Sequence, residues 1–289
     1  MTWFLQTLVG GLSTGAVYAL VAMGFSIVYR TMGLVNFAHS DVVMIGAYVT
    51  VTFFLTAHLP FGVSLLLAVV LTSALGLVME RILRPLESKD LNLMLIGTIG
   101  FGIVLESLAI IVWGSFGTAV PVPIPNVPLN VGGVIFTTYQ LLILAVSAIV
   151  MVLLFLFRDR TKLGKGMQAA AMDRVAATAM GVNVGSSNAL AFAIGSGIAA
   201  VAGGLVGPLL YVSPGMGASI GIKGFAAAIL GGFGSIPGAV VGGLIFALIE
   251  AFSSGPLSAY SDLITFVVFA IAMMIRQTGI FGERTVDRA

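Results

Sequence analysis

Hydrophobic residues run along this chain in long blocks. Uncharged stretches extend from Met1 to Tyr29, Val42 to Met79, Ser107 to Phe157, Val175 to Ile222, Gly224 to Ile249 and Leu263 to Ile275. A membrane span needs ~20 mostly apolar residues at ~1.5 Å rise each. Divided at turn residues and charges, the blocks predict helices over 4–29, 38–57, 61–80, 92–113, 138–157 and 187–210. A Gly-rich pair follows over 221–233 and 238–252, then a last helix over 259–276. The pair reads either as two thin spans or as one re-entrant hairpin, so the expected fold is an all-α polytopic membrane protein of about 7–9 segments. Met1-Thr2-Trp3 lacks the basic n-region of a secretory signal peptide, so 4–29 is read as a retained span.

The basic residues orient these spans. Arg30 closes the first, and Arg81, Arg84 and Lys89 lie between the third and fourth. Arg158, Arg160, Lys162, Lys165 and Arg174 follow the fifth, and Arg276, Arg284 and Arg288 the last. With these on the cytoplasmic side the N-terminus is outside and the C-terminus inside, leaving Lys223 as the exception. Parity demands an odd number of crossings and accepts seven or nine. Residues 114–137 are then external and uncharged, held extended by Pro121, Pro123, Pro125 and Pro128. Residues 158–186 are internal and basic. Neither connection could hold a catalytic domain, and no internal repeat stands out.

Composition narrows the function. Hydrophobic residues make up 59% and charged ones 8%, against ~25% charged in soluble domains. Mean hydropathy is +1.14. Disorder is excluded, and a net charge of +2 gives no footprint for nucleic acid. There are no cysteines, and His39 and His58 are the only histidines, so disulfides, thiolate chemistry and multi-histidine metal sites are out. No phosphate-cradling loop exists: the one candidate lysine, Lys165, is followed by Gly166 rather than Ser or Thr. The chain does not hydrolyse ATP itself.

Four features carry candidate chemistry. Glycine pairs four apart, such as Gly11/Gly15, Gly203/Gly207 and Gly217/Gly221, let helices approach closely, either within the subunit or at a subunit interface. The run Gly231-Gly232-Phe233-Gly234-Ser235-Ile236-Pro237-Gly238 cannot be regular helix, and it reads as a break beside a substrate path or as a turn at the inner surface. Residues 164–183 read as a short Ala-rich internal helix with Asp173, Ala177 and Gly181 on one face, either docking into a groove or lying as a surface connector. Asp41, Glu106, Glu250 and Asp262 are the intramembrane ionisable groups. Asp41, Glu250 and Asp262 lie close enough to a membrane face to be interfacial or capped, whereas Glu106 lies deep. Asn36 and His39 sit at the inner start of the second span.

Asn36-Phe37-Ala38-His39-Ser40-Asp41, followed by Met44-Ile45-Gly46, resembles the Asn-Phe-Ala-His-Gly-Asp/Glu motif of branched-chain amino-acid ABC-transporter permeases. The stretch Phe225 to Ala239 is similar to that family's longest motif, and Thr278-Gly279-Ile280-Phe281-Gly282 to its C-terminal Pro-Thr-Gly-Leu-Phe-Gly. The match spans essentially the whole chain and is nearest to the LivH-like of the family's two permease types. The resemblance implies one permease domain over 1–289 in a bacterial or archaeal plasma membrane. It implies a second, LivM-like permease subunit, two ABC ATPase subunits and an external substrate-binding protein as partners, with no cofactor. The loop at 158–186 then holds the ATPase-coupling region, in which Gly164, Ala169, Asp173, Ala177 and Gly181 match the family pattern. Gln168 stands in place of an arginine, Val182 of an isoleucine, Gln277 of a proline and Ser40 of a glycine. Asn36, His39, Asp41, Glu106, Gly231, Gly232, Gly234, Ser235 and Pro237 are the pathway candidates.

The leading expectation is the translocation subunit of an ATP-driven importer for branched-chain or related amino acids. The alternatives are the same machinery carrying urea or short amides, and a self-contained channel or secondary transporter using Glu106 or the Gly-rich break. An accessory scaffold fits the broken helices poorly, and an enzyme lacks a nucleophile–base pair or metal ligands.

Overall fold

A computed structural model describes residues 2–87, 90–255 and 258–282. Lys89, Arg284 and Arg288, part of the basic pattern above, lie outside the described residues. The chain forms helices α1 (Thr2–Met32), α2 (His39–Val51), α3 (Phe61–Glu87), α4 (Leu91–Trp113), α5 (Thr138–Arg160), α6 (Lys162–Met172), α7 (Arg174–Ala179), α8 (Val184–Val206), α9 (Met216–Gly231), α10 (Ile236–Ser254) and α11 (Ser261–Ile275). A π-helical turn, Thr52–Thr56, continues α2. A 3-10 turn, Ser258–Tyr260, leads into α11. With these two turns counted in, eight helical segments among the described residues are long and apolar enough to cross a membrane, and α9, with 16 residues, is a shorter apolar helix.

Several boundaries overrun the expected ones, because a helix does not stop where the hydrocarbon does, while α8 ends at Val206, short of the expected 210. α3 runs past its apolar block to Glu87; Arg84 Nε and Nη2 each donate to the Glu80 carboxylate at 2.9 Å, an i,i+4 pair that carries the helix into its charged end. α9 begins at Met216, earlier than the Gly-rich pattern alone placed it.

α1 and α8 form the centre. Both are apolar all round, and nearly every residue from Gly15 to Val28 and from Gly195 to Val206 is buried. α10 and α9 flank α1, α2 and α3 flank α8, and α4, α5 and α11 present broad outer faces. Small residues set these distances. A Cβ on Gly46 would meet the Ala200 backbone, and one on Gly203 would meet the backbone of Val43 and Ala47, so α2 and α8 touch main chain to main chain. Gly11 and Gly15 face Leu244, Ala247, Leu248 and Ala251 of α10, which is packing inside one subunit.

The connection over 114–137 is more ordered than its prolines predict. Pro128–Val131 and Val134–Thr137 pair antiparallel as β1 and β2. Gly132 and Gly133, at φ 62 and 87, make the two-residue turn that needs two left-handed residues. The hairpin is tied to α1 by Gln6, whose side chain pairs with both backbone groups of Ile135.

The loop over 158–186 also departs from expectation. Residues 164–183 are two helices, not one. Asp173 adopts extended backbone (φ −156, ψ 112), and its carboxylate accepts from Val175 N and Ala176 N at 2.8 and 3.0 Å. This local cap outcompetes continuation of an otherwise good helix former. Asp173, Ala177 and Gly181 therefore do not share one face: Asp173 caps α7, Ala177 is buried against the protein, and Gly181 lies past the helix at φ 84.

Candidate functional site

The end of the bundle that carries α6 and α7 holds an open cavity of about 900 Å³. The end of α1 (Tyr29, Arg30), the α6–α7 junction (Met172, Asp173, Arg174), the α9–α10 turn (Phe233, Gly234, Ser235) and Thr278, Phe281 and Gly282 line it. Four segments separated in sequence thus converge on one space.

The α9–α10 turn is built from glycines for steric reasons. Gly232 and Gly234 take φ 105 and 85, and Gly231 and Gly238 lie so close that a Cβ on either would overlap the other's carbonyl. Ser235 caps α10 by accepting from Gly238 N at 3.2 Å, and Pro237 sits in the first turn, where its missing N–H costs nothing. Ile280 N and Phe281 N donate to the carbonyls of Leu230 and Gly231 at 3.0 and 2.9 Å. These are the carbonyls that the end of α9 leaves unpaired. Arg30 Nη1 reaches the Gly234 carbonyl at 3.3 Å.

Asn36 and His39 are buried. The His39 ring lies against Gly24 and stands 4.6 Å from the Phe25 ring. His39 Nε2 and Asn36 Oδ1 have no hydrogen-bond partner among the described residues. From His39 a run of aromatic rings leads down to the cavity: Phe25, Phe225, Phe233 and Tyr29, at centroid separations of 4.6, 5.5, 5.4 and 4.4 Å, with Phe37 beside Phe225 at 5.9 Å. The α2 start and the α9–α10 turn are thereby one packed unit. Sequence reasoning missed these rings, whose only signal is that each lies beside a glycine-rich or polar motif.

Asp41 and Glu106 come together. The Asp41 carboxylate rests on Gly102 of α4, and Glu106 is one turn further along the same face. Neither joins an ion pair among the described residues. Glu250 and Asp262, expected to be interfacial or capped, bracket Lys223: Nζ is 2.5 Å from Glu250 Oε1 and 2.9 Å from Asp262 Oδ1. The one lysine outside the basic inner pattern is thus the partner of two carboxylates on neighbouring helices.

The expected coupling residues are mostly internal to the loop's own architecture. Gly164 packs on the Phe157 and Arg158 backbone at the α5–α6 corner, Gln168 Nε2 donates to the Arg158 carbonyl at 2.7 Å, and Ala169 is half-buried. The most exposed apolar side chains of the loop are Met172, Val175 and Met180, at 86%, 82% and 85%, ahead of Leu163 at 62%.

Comparison with known proteins agrees in one direction. The sequence profile described as branched-chain amino acid transport system, permease component, matches residues 7–275. The high-affinity branched-chain amino acid transport system permease protein BraD of Pseudomonas aeruginosa is 37% identical over 301 residues, covering 99% of this chain and 98% of that protein. LivH of Escherichia coli, of the same description, is 36% identical over 302 residues at the same coverage. A probable branched-chain amino acid transport permease LivH of Methanocaldococcus jannaschii is 26% identical over 283 residues, covering 91% of this chain and 88% of its own.

Proposed function

Because the chain belongs to the branched-chain amino acid transport permease family, we propose that it is the LivH-type translocation subunit of an ATP-driven importer in a bacterial or archaeal plasma membrane. Membership of that family makes it a transport subunit rather than an enzyme. A second, LivM-like permease shares the pathway, two ATPases bind below, and an external binding protein delivers leucine, isoleucine or valine.

The observation that carries the reading is the exposed trio Met172, Val175 and Met180 on the basic inner side. Methionines and valine left in water at the tip of an internal loop fit a groove on a separate protein, and methionine adapts to such grooves. In this reading the ATPase contact is made by that trio, while Gly164, Ala169, Asp173, Ala177 and Gly181 shape the loop that presents it.

The topology in this reading is N-out and C-in. The eight long helical segments among the described residues are even in number, and counting α9 as a ninth, thin crossing restores the odd parity. The rings from His39 to Tyr29 then act as the closed inner gate, and substrate passing it enters the inner cavity. Asn36, Gly231, Gly232, Gly234, Ser235 and Pro237 position that gate, and Asp41 with Glu106 adds polar lining on the α2–α4 seam.

The test is uptake in vesicles. The complex captured through a tag on this chain and reconstituted with its binding protein is expected to accumulate labelled leucine only with ATP. Uptake by the chain alone, without ATP, would instead make it a self-contained channel.

A further inference from the structure

Three side chains from three elements close a triangle on the inner side. Arg174 Nη1 lies 2.7 Å from Glu87 Oε1. Asn188 Nδ2 donates to both Glu87 oxygens at 3.3 and 3.2 Å, and its own Oδ1 accepts from Arg174 Nη2 at 3.3 Å. Glu87 ends α3, Arg174 begins α7 and Asn188 lies in the second turn of α8. One α3 turn earlier, Arg84 is held by buried Glu80 and reaches the Gly185 carbonyl of α8 at 3.4 Å.

We propose that the Glu87–Arg174–Asn188 triangle is the strut through which movement of α7 is passed to the transmembrane helices, with all three as positioning residues. The proposal rests on the transport reading above. α7 has six residues, and its apolar Val175 faces water, so apart from Ala177 and its junction with α6, the side chain that ties it to the long helices is Arg174. A guanidinium held by a carboxylate and an amide oxygen in a fixed fork resists sliding and rotation in a way that apolar contact does not. The charges balance within the set, since Glu80 and Glu87 meet Arg84 and Arg174. Beyond the triangle the path is close-packed. α3 and α8 touch at Gly76 and Phe192, and α8 and α2 touch at Ala200 and Gly46 and again at Gly203 and Val43. Backbones in such contact move together rather than independently. A shift at Arg174 is therefore delivered to α2, the helix that carries His39 and Asp41.

The test is the number of substrate molecules taken up per ATP hydrolysed by the full reconstituted complex, with labelled leucine as the probe. Glu87→Gln removes the charge that holds Arg174 and is expected to lower that ratio about fivefold. Asn188→Ala, which keeps the ion pair but opens the triangle, should lower it less. Exchanging the charges, Glu87→Arg with Arg174→Glu, should restore the ratio to within about twofold of wild type. An unchanged ratio in both single variants would overturn the strut. So would a parallel fall of uptake and ATP hydrolysis that the exchange does not rescue, since that is loss of structure. A wild-type complex showing no ATP-driven uptake would reject the transport reading itself, and with it the strut.

Discussion

The amide of Phe281 donates to the carbonyl of Gly231 across 2.9 Å. This one bond joins the last described stretch of the chain to the end of α9, and with Ile280 on Leu230 it supplies donors that the helix lacks. The backbone there has no room for side chains. A Cβ on Gly232 would strike Gly282 and Phe281, and its φ of 105 disfavours any other residue. Gly232→Ala is expected to destabilise the protein by about 2 kcal/mol or more, a lower melting temperature in detergent. Gly10→Ala, where nothing lies within 4 Å, should be neutral or stabilising by up to ~1 kcal/mol. Equal melting temperatures for the two variants would contradict the capping role of the C-terminal stretch.

The exposed trio separates docking from folding. Val175→Asp and Met180→Asp are expected to leave the melting temperature of the isolated chain unchanged and to weaken ATPase capture. A misfit at a packed interface costs ~2 kcal/mol or more, about thirtyfold in affinity. Ala177→Arg should behave differently. Ala177 is 4% exposed, so an arginine there must displace the chain's own packing and lower both stability and capture. Undiminished capture by the aspartate variants would remove the trio from the ATPase interface.

Lys223 is the only cation paired with Glu250 and Asp262 among the described residues. Lys223→Met would leave two carboxylates facing one another with no counter-charge, and the protein should lose ~3 kcal/mol of stability or more. Adding Glu250→Gln and Asp262→Asn to it should recover much of that loss, because neutral groups need no counter-charge. Melting temperatures of the single and triple variants decide the matter: no recovery in the triple variant would mean that lysine packing, not charge, is what counts.

Because the chain has no cysteine, single thiols report sidedness directly. Gly117→Cys should react with an impermeant maleimide from outside in intact cells, and Lys162→Cys only after the membrane is opened. Reaction of both from the same side would reverse or break the N-out, C-in arrangement.

Much of the transmembrane order was legible because lipid imposes a simple rule: a spanning helix must be apolar for its length, and the blocks show it. The 164–183 loop was legible as helical from its alanines, but not as two helices, because propensity sums over many residues while Asp173 decides alone by capping Val175 and Ala176. That break also turned Ala177 inward, which spacing along a continuous helix could not foresee. The Lys223 triad escaped detection for a different reason. Its members lie on α9, α10 and α11, and only tertiary packing brings them together. The hairpin at 128–137 was hidden by its prolines, whose preference for extended chain is equally at home at a strand edge. The two motifs at 225–239 and 278–282 were visible separately; that they bond to each other was not.

α9 spans 16 residues, ~24 Å of helix, against a hydrocarbon layer of ~30 Å. In the reading proposed above, where α9 is the ninth crossing, the insulating layer must pinch inward beside it, either by lipid thinning or by water standing deeper at both mouths. The hurdle for a zwitterion is set by the thickness of that dry layer, so in that reading the ground beside α9 is where crossing costs least. Acyl-chain length then becomes a control on flux: long-chain lipids that stretch the bilayer should strain α9 before any of its longer neighbours.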